Sequence, residues 1–311
     1  MEFFKKQTHF RFMALKKYTI AVALTLSLIS LGLVIFKGLH YGLEFTGGTQ
    51  IELRFNQPTS PDHIASVMQS NGFSGVRVQL YGSTQDVLVR TANNAQQAST
   101  NMQLQQRISD AFMQSGDSVQ VQRIEFVGSE VGQQLAEQGA IAVIVAILAT
   151  MVYIALRFEY RFAVSAALAL AHDALLVLGV FVLAKIEFDL AALAAVMAVV
   201  GYSLNDKIVV FDRVRENFRL LRAGNPAEIM DGALNQTLSR TIMTSFMTML
   251  VVLALLFFGG NSLFSFSLAL CIGIAVGTYS SIFVASAIAI LLGLSRADLL
   301  PKPKVIVDNR P

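Results

Sequence analysis

The chain has 311 residues, of which 54% are apolar and only 14% charged, and its formal net charge is +3. This balance argues against a soluble or disordered protein and offers no electrostatic footprint for nucleic acid. The single cysteine, Cys271, excludes an intrachain disulfide, and without a CxxC pair or a His/Cys cluster no metal or cofactor site is expected.

Residues 18–36 form the first apolar run long enough to cross about 30 Å of hydrocarbon. Lys5, Lys6, Arg11, Lys16 and Lys17 precede it like the basic start of a signal peptide. The apolar core is too long for one, and no A-x-A-like site follows before Gly38, so a retained anchor is expected over residues 1–37. Residues 38–134 then read as a small α+β domain. Ile51, Leu53 and Phe55 alternate in strand period over 49–55. Ser60 before Pro61 is an N-cap with proline at the first helical position, opening a helix through Ile64, Val67 and Met68. Strands are predicted over 76–81 and 86–90, joined at Gly82 and Ser83. A glutamine-rich helix over 96–113 follows, with Met102, Ile108, Ala111 and Phe112 as its apolar positions, then a strand over 119–127. The order βαββαβ is that of a ferredoxin-like split βαβ unit.

Residues 135–294 carry five further candidate spans, over 136–156, 162–184, 190–211, 241–258 and 263–292, and residues 295–311 form a tail. Lys and Arg near the span ends set orientation. They place both termini in the cytoplasm, together with Arg157 to Arg161, Arg213, Arg215, Arg219 and Arg222, and the tail residues Arg296, Lys302, Lys304 and Arg310. The 38–134 insert and the short turns at Lys185-Ile186-Glu187 and Gly259-Gly260-Asn261 fall on the opposite side.

Ionisable residues inside such spans are the informative ones, since each costs roughly 2.5–3.5 kcal/mol at a helix centre on insertion scales. His172 and Asp173 lie mid-span, as a proton site or as a polar pair that fixes helix packing. Asp206, in Gly201-Tyr202-Ser203-Leu204-Asn205-Asp206-Lys207, lies on the cytoplasmic side of its helix centre, either within the apolar region or already at its interface. Tyr202 and Ser203 share its helix face and can hydrogen-bond it. Arg240 opens the fifth span, either as a partner for Asp206 or as a basic flank. Gly273, Gly277, Ser281, Ala285, Ala289 and Gly293 recur every four residues, a stripe for close helix contact inside the bundle or with a partner.

Several motifs resemble the SecD/SecF family of protein-export membrane proteins. Gly42-Leu43-Glu44-Phe45-Thr46-Gly47-Gly48-Thr49 resembles the family's GLDFTGGT motif. Arg123-Ile124-Glu125-Phe126-Val127-Gly128, His172-Asp173 and the run GYSLNDKIVVFDRVREN from Gly201 to Asn217 resemble others. The resemblance, to the smaller SecF-type half, covers nearly the whole chain. It implies six transmembrane helices, half of a twelve-helix bundle of the resistance-nodulation-division class, with one ferredoxin-like periplasmic domain in the bacterial inner membrane. It implies a non-enzymatic subunit working with SecD and the SecYEG channel, with YajC and YidC as further partners, on translocating preproteins. In that picture Asp206, Arg240 and Asp173 are the charges of a proton relay. Glu44, Gly47, Gly48, Tyr202, Ser203, Asn205 and His172 support it.

Three positions depart from the family pattern. Glu44 stands for Asp, Ser129 for Pro, and Lys207 for a small hydroxyl residue. Ser129 is expected to loosen its turn; Lys207, about 100° from Asp206 around the helix, need not touch it and can snorkel toward the cytoplasmic interface. Two other readings compete with a proton-coupled subunit: a scaffold that assembles SecD with the channel, and an aspartyl protease using Asp173 and Asp206. The protease reading lacks a GxGD sequence and sets the two carboxylates at different depths.

Overall fold

A computed structural model describes residues 8–81, 83–91, 101–221 and 224–295. Lys5, Lys6, Gly82, the helix start predicted at Gln96, Arg222 and all of the tail after Ser295 lie outside the described residues. Among the described residues, six helices are long and apolar enough to cross a membrane: Phe12–Lys37, Glu130–Arg157, Tyr160–Ala184, Leu190–Leu220, Pro226–Phe258 and Phe264–Leu291. The chain is therefore a multi-pass membrane protein with a small sheet domain between its first two spans.

A 3-10 turn, Phe12–Leu15, leads into α1 (Lys16–Lys37). The chain then forms β1 (His40–Tyr41), the one-turn helix α2 (Leu43–Thr46) and β2 (Gly48–Phe55). The insert continues with α3 (Pro61–Ser70), β3 (Arg77–Tyr81), β4 (Ser83–Thr91), α4 (Asn101–Gln114) and β5 (Val119–Val127). The expected βαββαβ order holds, and the four strands pair antiparallel in the order β3-β4-β2-β5. Ile51, Leu53 and Phe55, alternating along β2, are all but sealed from solvent beneath Ile64, Met68, Ile108 and Phe112. Ser60 caps α3 by accepting from the His63 amide at 3.2 Å. Met102, predicted as apolar contact, is instead exposed, because the buried stripe of α4 begins only at Leu104. The opposite face of the sheet is polar and looks onto the helix ends.

The bundle comprises α5 (Ser129–Arg157), α6 (Tyr160–Ala184), α7 (Leu190–Leu220), α8 (Pro226–Phe258) and α9 (Phe264–Tyr279), the last continued by a π-helical turn (Ser280–Ala285) and α10 (Ser286–Leu291). Ser129 occupies the first position of α5 after the cap Gly128. Proline is at home there because that amide has no partner within the helix, so serine removes a constraint without changing the hydrogen bonding. Two helices outrun their apolar stretches. α7 continues to Leu220, and α8 begins at Pro226, capped by Asn225. Arg240 is consequently well inside α8 rather than at its first turn.

The small-residue stripe packs inside the molecule except at its end, where Gly293 lies beyond the last helix and is exposed. A Cβ at Gly273 would fall 2.0 Å from Val199, and one at Gly277 would fall 2.8 Å from the Ser203 hydroxyl, so α9 lies directly against α7. α6, α7 and α9 bury about half of their most apolar stretch (56%, 44% and 50%), whereas α1 and α5 bury only 11% each and face outward.

Between α6 and α7, β6 (Glu187–Phe188) pairs in parallel with β1, His40 opposite Glu187 and Tyr41 opposite Phe188. Phe45 of α2 stacks on Phe188 with ring centres 6.0 Å apart, and Arg90 of β4 pairs with Glu187. The Gly47-Gly48 pair makes the turn from α2 into the sheet. Its φ angles are +67° and +133°, and a Cβ at Gly48 would meet the Thr91 carbonyl at 2.7 Å.

Candidate functional site

The centre of the bundle holds a buried polar cluster built on α7. Consecutive helical residues diverge by about 100°, so Lys207 turns toward α6 while Asp206 turns toward α8. Ser203, one turn before Lys207, shares its face.

On the α6 side the contacts converge on one oxygen of Asp173, while its other oxygen, Oδ1, is buried with no hydrogen-bond partner among the described residues. Lys207 Nζ donates to Asp173 Oδ2 at 2.9 Å and to Ser203 Oγ at 2.5 Å, and Ser203 donates to the same Asp173 oxygen at 2.6 Å. The Lys207 side chain is 0% exposed and that of Asp173 1%. Lys207 therefore does not snorkel: Ser203 and Asp173 offer oxygens within reach, and the ammonium bends back to them. A buried pair of this kind is costly to break from one side, about 3–5 kcal/mol, because the survivor is left charged and alone. His172 carries the network's helix further, its Nδ1 lying 2.7 Å from Ser27 Oγ on α1.

On the α8 side the contacts are sparse. Asp206 is 3% exposed, and its hydrogen bond comes from Ser245 Oγ to Oδ2 at 3.5 Å. Ser245 is itself 2.7 Å from Thr278 Oγ1 of α9, and Thr278 donates to the Ile274 carbonyl at 2.7 Å. The predicted partner does not reach it. Arg240 makes no ion pair with Asp206 among the described residues, and lines a cleft of about 340 Å³ with Asp212, Arg213, Glu216 and Gln236. Tyr202 and Ser203 also fail to bond Asp206. Ser203 is taken by Asp173, and the buried Tyr202 hydroxyl has no partner among the described residues.

Of the residues singled out in the sequence, the structure gathers Asp173, Ser203 and Asp206, with His172 and Tyr202 at the margin. Asn205 is exposed on the far face of α7. Glu44, Gly47 and Gly48 belong to the joint with the insert, where Glu44 lines a cavity of about 570 Å³ with Arg90, Glu187 and Asp189. Sequence reasoning missed Ser245 and Thr278, whose one available signal was a hydroxyl in an otherwise apolar helix. It also missed the Asn217–Gln236 bond of 3.1 Å that ties α7 to α8. No group of three or more His, Cys, Asp or Glu side chains able to hold a metal ion occurs among the described residues.

Comparison with known proteins gives a consistent picture. Residues 107–295 match the family model for the C-terminal part of the protein export membrane proteins SecD/SecF, and residues 32–59 match that of the SecD/SecF GG motif. The protein translocase subunit SecF of Pseudomonas aeruginosa is 44% identical over 303 residues, covering 96% of this chain and 97% of its own. That of Vibrio alginolyticus is 46% identical over 286 residues, covering 90% of each. The crystal structure of SecDF, a translocon-associated membrane protein from Thermus thermophilus, superposes with a TM-score of 0.82 at 37% identity. The match covers 92% of this chain but 39% of the solved one.

Proposed function

The chain belongs to the SecD/SecF family of protein export membrane proteins, and from that premise we propose that it couples the proton gradient to late preprotein translocation and release. It works with SecD beside the SecYEG channel, with YajC and YidC as further partners, in the bacterial inner membrane. Both termini are cytoplasmic and the 38–134 insert is periplasmic. The grouping of basic helix ends supports this orientation. Arg157 and Arg215 both lie over the Phe158 ring, at 5.5 and 5.9 Å, and the Met13 amide donates to Asp231 near the start of α8.

The observation that carries the reading is Asp206, a carboxylate buried in a membrane-spanning bundle and held by one long hydrogen bond. Each hydroxyl has a single proton to give. When Thr278 donates to the Ile274 carbonyl, Ser245 donates to Thr278 and has nothing left for Asp206. A protonated Asp206 completes that chain as its first donor. An ionised Asp206 demands the Ser245 proton and breaks the chain's direction. Proton uptake and loss at Asp206 thereby change what α7, α8 and α9 hold in common, and moving helices can carry the insert with them.

The test is Asp206→Asn in native membranes. Export is expected to lose its proton-dependent part while the complex with SecD still assembles. A scaffold reading also has an observation behind it, since the Lys207–Asp173–Ser203 network ties α6 to α7, as static helix packing requires. Proton-dependent export that stays normal in an assembled Asp206→Asn complex decides for the scaffold.

A further inference from the structure

Lys207, Asp173 and Asp206, with His172, are the buried ionisable side chains among the described residues, and they are unequally served. Asp173 Oδ2 receives both the Lys207 ammonium and the Ser203 hydroxyl, at 2.9 and 2.6 Å. Asp206, next to Lys207 in sequence, points the other way and among the described residues receives only Ser245, at 3.5 Å. Two carboxylates and one ammonium leave one negative charge without a counterion in contact, and geometry assigns it to Asp206.

We infer that Lys207 is a positioning residue: as the fixed counterion of Asp173, it reserves Asp206 as the single carboxylate of the core that exchanges a proton. This rests on the reading of Asp206 as the proton-exchanging group. The reason is charge balance in a medium of low dielectric. Without Lys207, Asp173 would be a second carboxylate with no counterion in contact, and burial away from water would drive it to take up a proton of its own. A relay built that way would take up protons at two places, only one of which touches α8. With Lys207 in place, Asp173 is already neutralised within its ion pair, and protonation is confined to the carboxylate that meets Ser245 and, through it, α9.

The surroundings offer no substitute for Lys207. α6 presents His172, whose Nδ1 is engaged with Ser27. α7 presents Tyr202 besides Asp206. α8 presents Arg240, which is exposed and acts on Asp206 through its field alone, with no ion pair to either aspartate among the described residues. α9 brings Thr278 and then Tyr279, whose ring stacks on Phe283 at 5.2 Å. The π-helical turn adds only the hydroxyls of Ser280 and Ser281.

Infrared difference spectra between acidic and alkaline buffer, on the full chain purified with SecD in lipid, count the carboxyl groups that take up a proton. The native complex is expected to show a protonated-carboxyl band that disappears in Asp206→Asn. Lys207→Met should add a second band of similar area, which the double variant Lys207→Met/Asp173→Asn removes again. Lys207→Arg should keep the native spectrum. A Lys207→Met spectrum identical to the native one overturns the inference, as does a native spectrum that already contains an Asp173 band. Should Lys207→Met fail to assemble, the double variant carries no lone charge at position 173 and must still show the Asp206 band alone; its loss overturns the inference. Failure of the underlying reading looks different: either no Asp206 band in any variant, or bands as expected with proton-dependent export intact in Asp206→Asn.

Discussion

Glu44 shows how one methylene and one burial site change a residue's behaviour with pH. It sits half-buried at the joint between insert and bundle, with Oε2 lacking a hydrogen-bond partner among the described residues. Burial pushes its carboxyl above the ordinary value of 4.5, the Asp189 charge adds to the rise, and Arg90 opposes it. A folded-state value above the unfolded one means that the folded protein binds the proton more tightly. Stability therefore falls as pH rises from 4.5 through the folded value, and the full cost is present above it. Glu44→Gln removes that cost. The variant should unfold at a higher temperature than the native protein in mildly alkaline buffer, with the difference closing as pH approaches 4.5, followed by circular dichroism. A difference that is constant with pH would show that shape rather than charge is at stake. The residue scale is also where sequence and structure part most. That Asp173, Asp206 and Lys207 are costly in a span is legible from composition, since lipid penalises charge wherever it stands. Which one pairs with which is not legible, because partners across helices depend on helix rotation. The sequence leaves Arg240 open as a partner for Asp206 or a basic flank, and the fold gives Lys207 to Asp173.

At the scale of elements, the four-residue recurrence along α9 was legible because small residues at that spacing have one strong physical use, close helix approach. Its partner helix was not, and the structure identifies α7. Helix lengths were read short for a related reason. Hydropathy marks where lipid begins, whereas capping marks where a helix begins, and Asn225-Pro226 is a cap that lies fifteen residues before the predicted span at 241. The π-helical turn after Tyr279 left no mark in the hydrophobic pattern, because Ser281 within it fits the same stripe as the glycines and alanines around it. The α7–α9 contact makes a direct prediction. A methyl group at Gly273 cannot be accommodated by a rotation of Val199, whose branched side chain is stiff at its first torsion. Gly273→Ala should destabilise the bundle by about 1–3 kcal/mol, the usual cost of overpacking. Val199→Ala in the same chain should recover most of it. Detergent-induced unfolding measures both, and additive losses in the double variant would mean that the two residues do not collide.

At the scale of the molecule, what matters is how the insert is fastened to the helices that hold Asp206. Its sheet is anchored to the α6–α7 connection in three ways: the β1–β6 ladder, the Phe45–Phe188 stack, and the Arg90–Glu187 ion pair. That connection leads directly into α7, through Asp189, which caps the helix by accepting from the Ala192 amide at 2.7 Å. A displacement of α7 therefore reaches the sheet through a short, well-bonded path. The ladder is only two residues deep, so the ion pair should contribute visibly to its stability. The Arg90 and Glu187 side chains are 19% and 33% exposed, which limits the expected contribution to about 1 kcal/mol. That corresponds to roughly a five-fold change in local opening. Arg90→Glu should raise amide hydrogen exchange in β1 and β6 by this factor and leave the sheet core around Ile51 and Val89 unchanged. The charge-swapped pair Arg90→Glu/Glu187→Arg should restore protection. Faster exchange throughout β2 and β4 in the single variant would instead place Arg90 in the folding of the insert itself. Unchanged exchange in β1 and β6 would leave the Phe45–Phe188 stack and the ladder as the coupling between the relay helices and the insert.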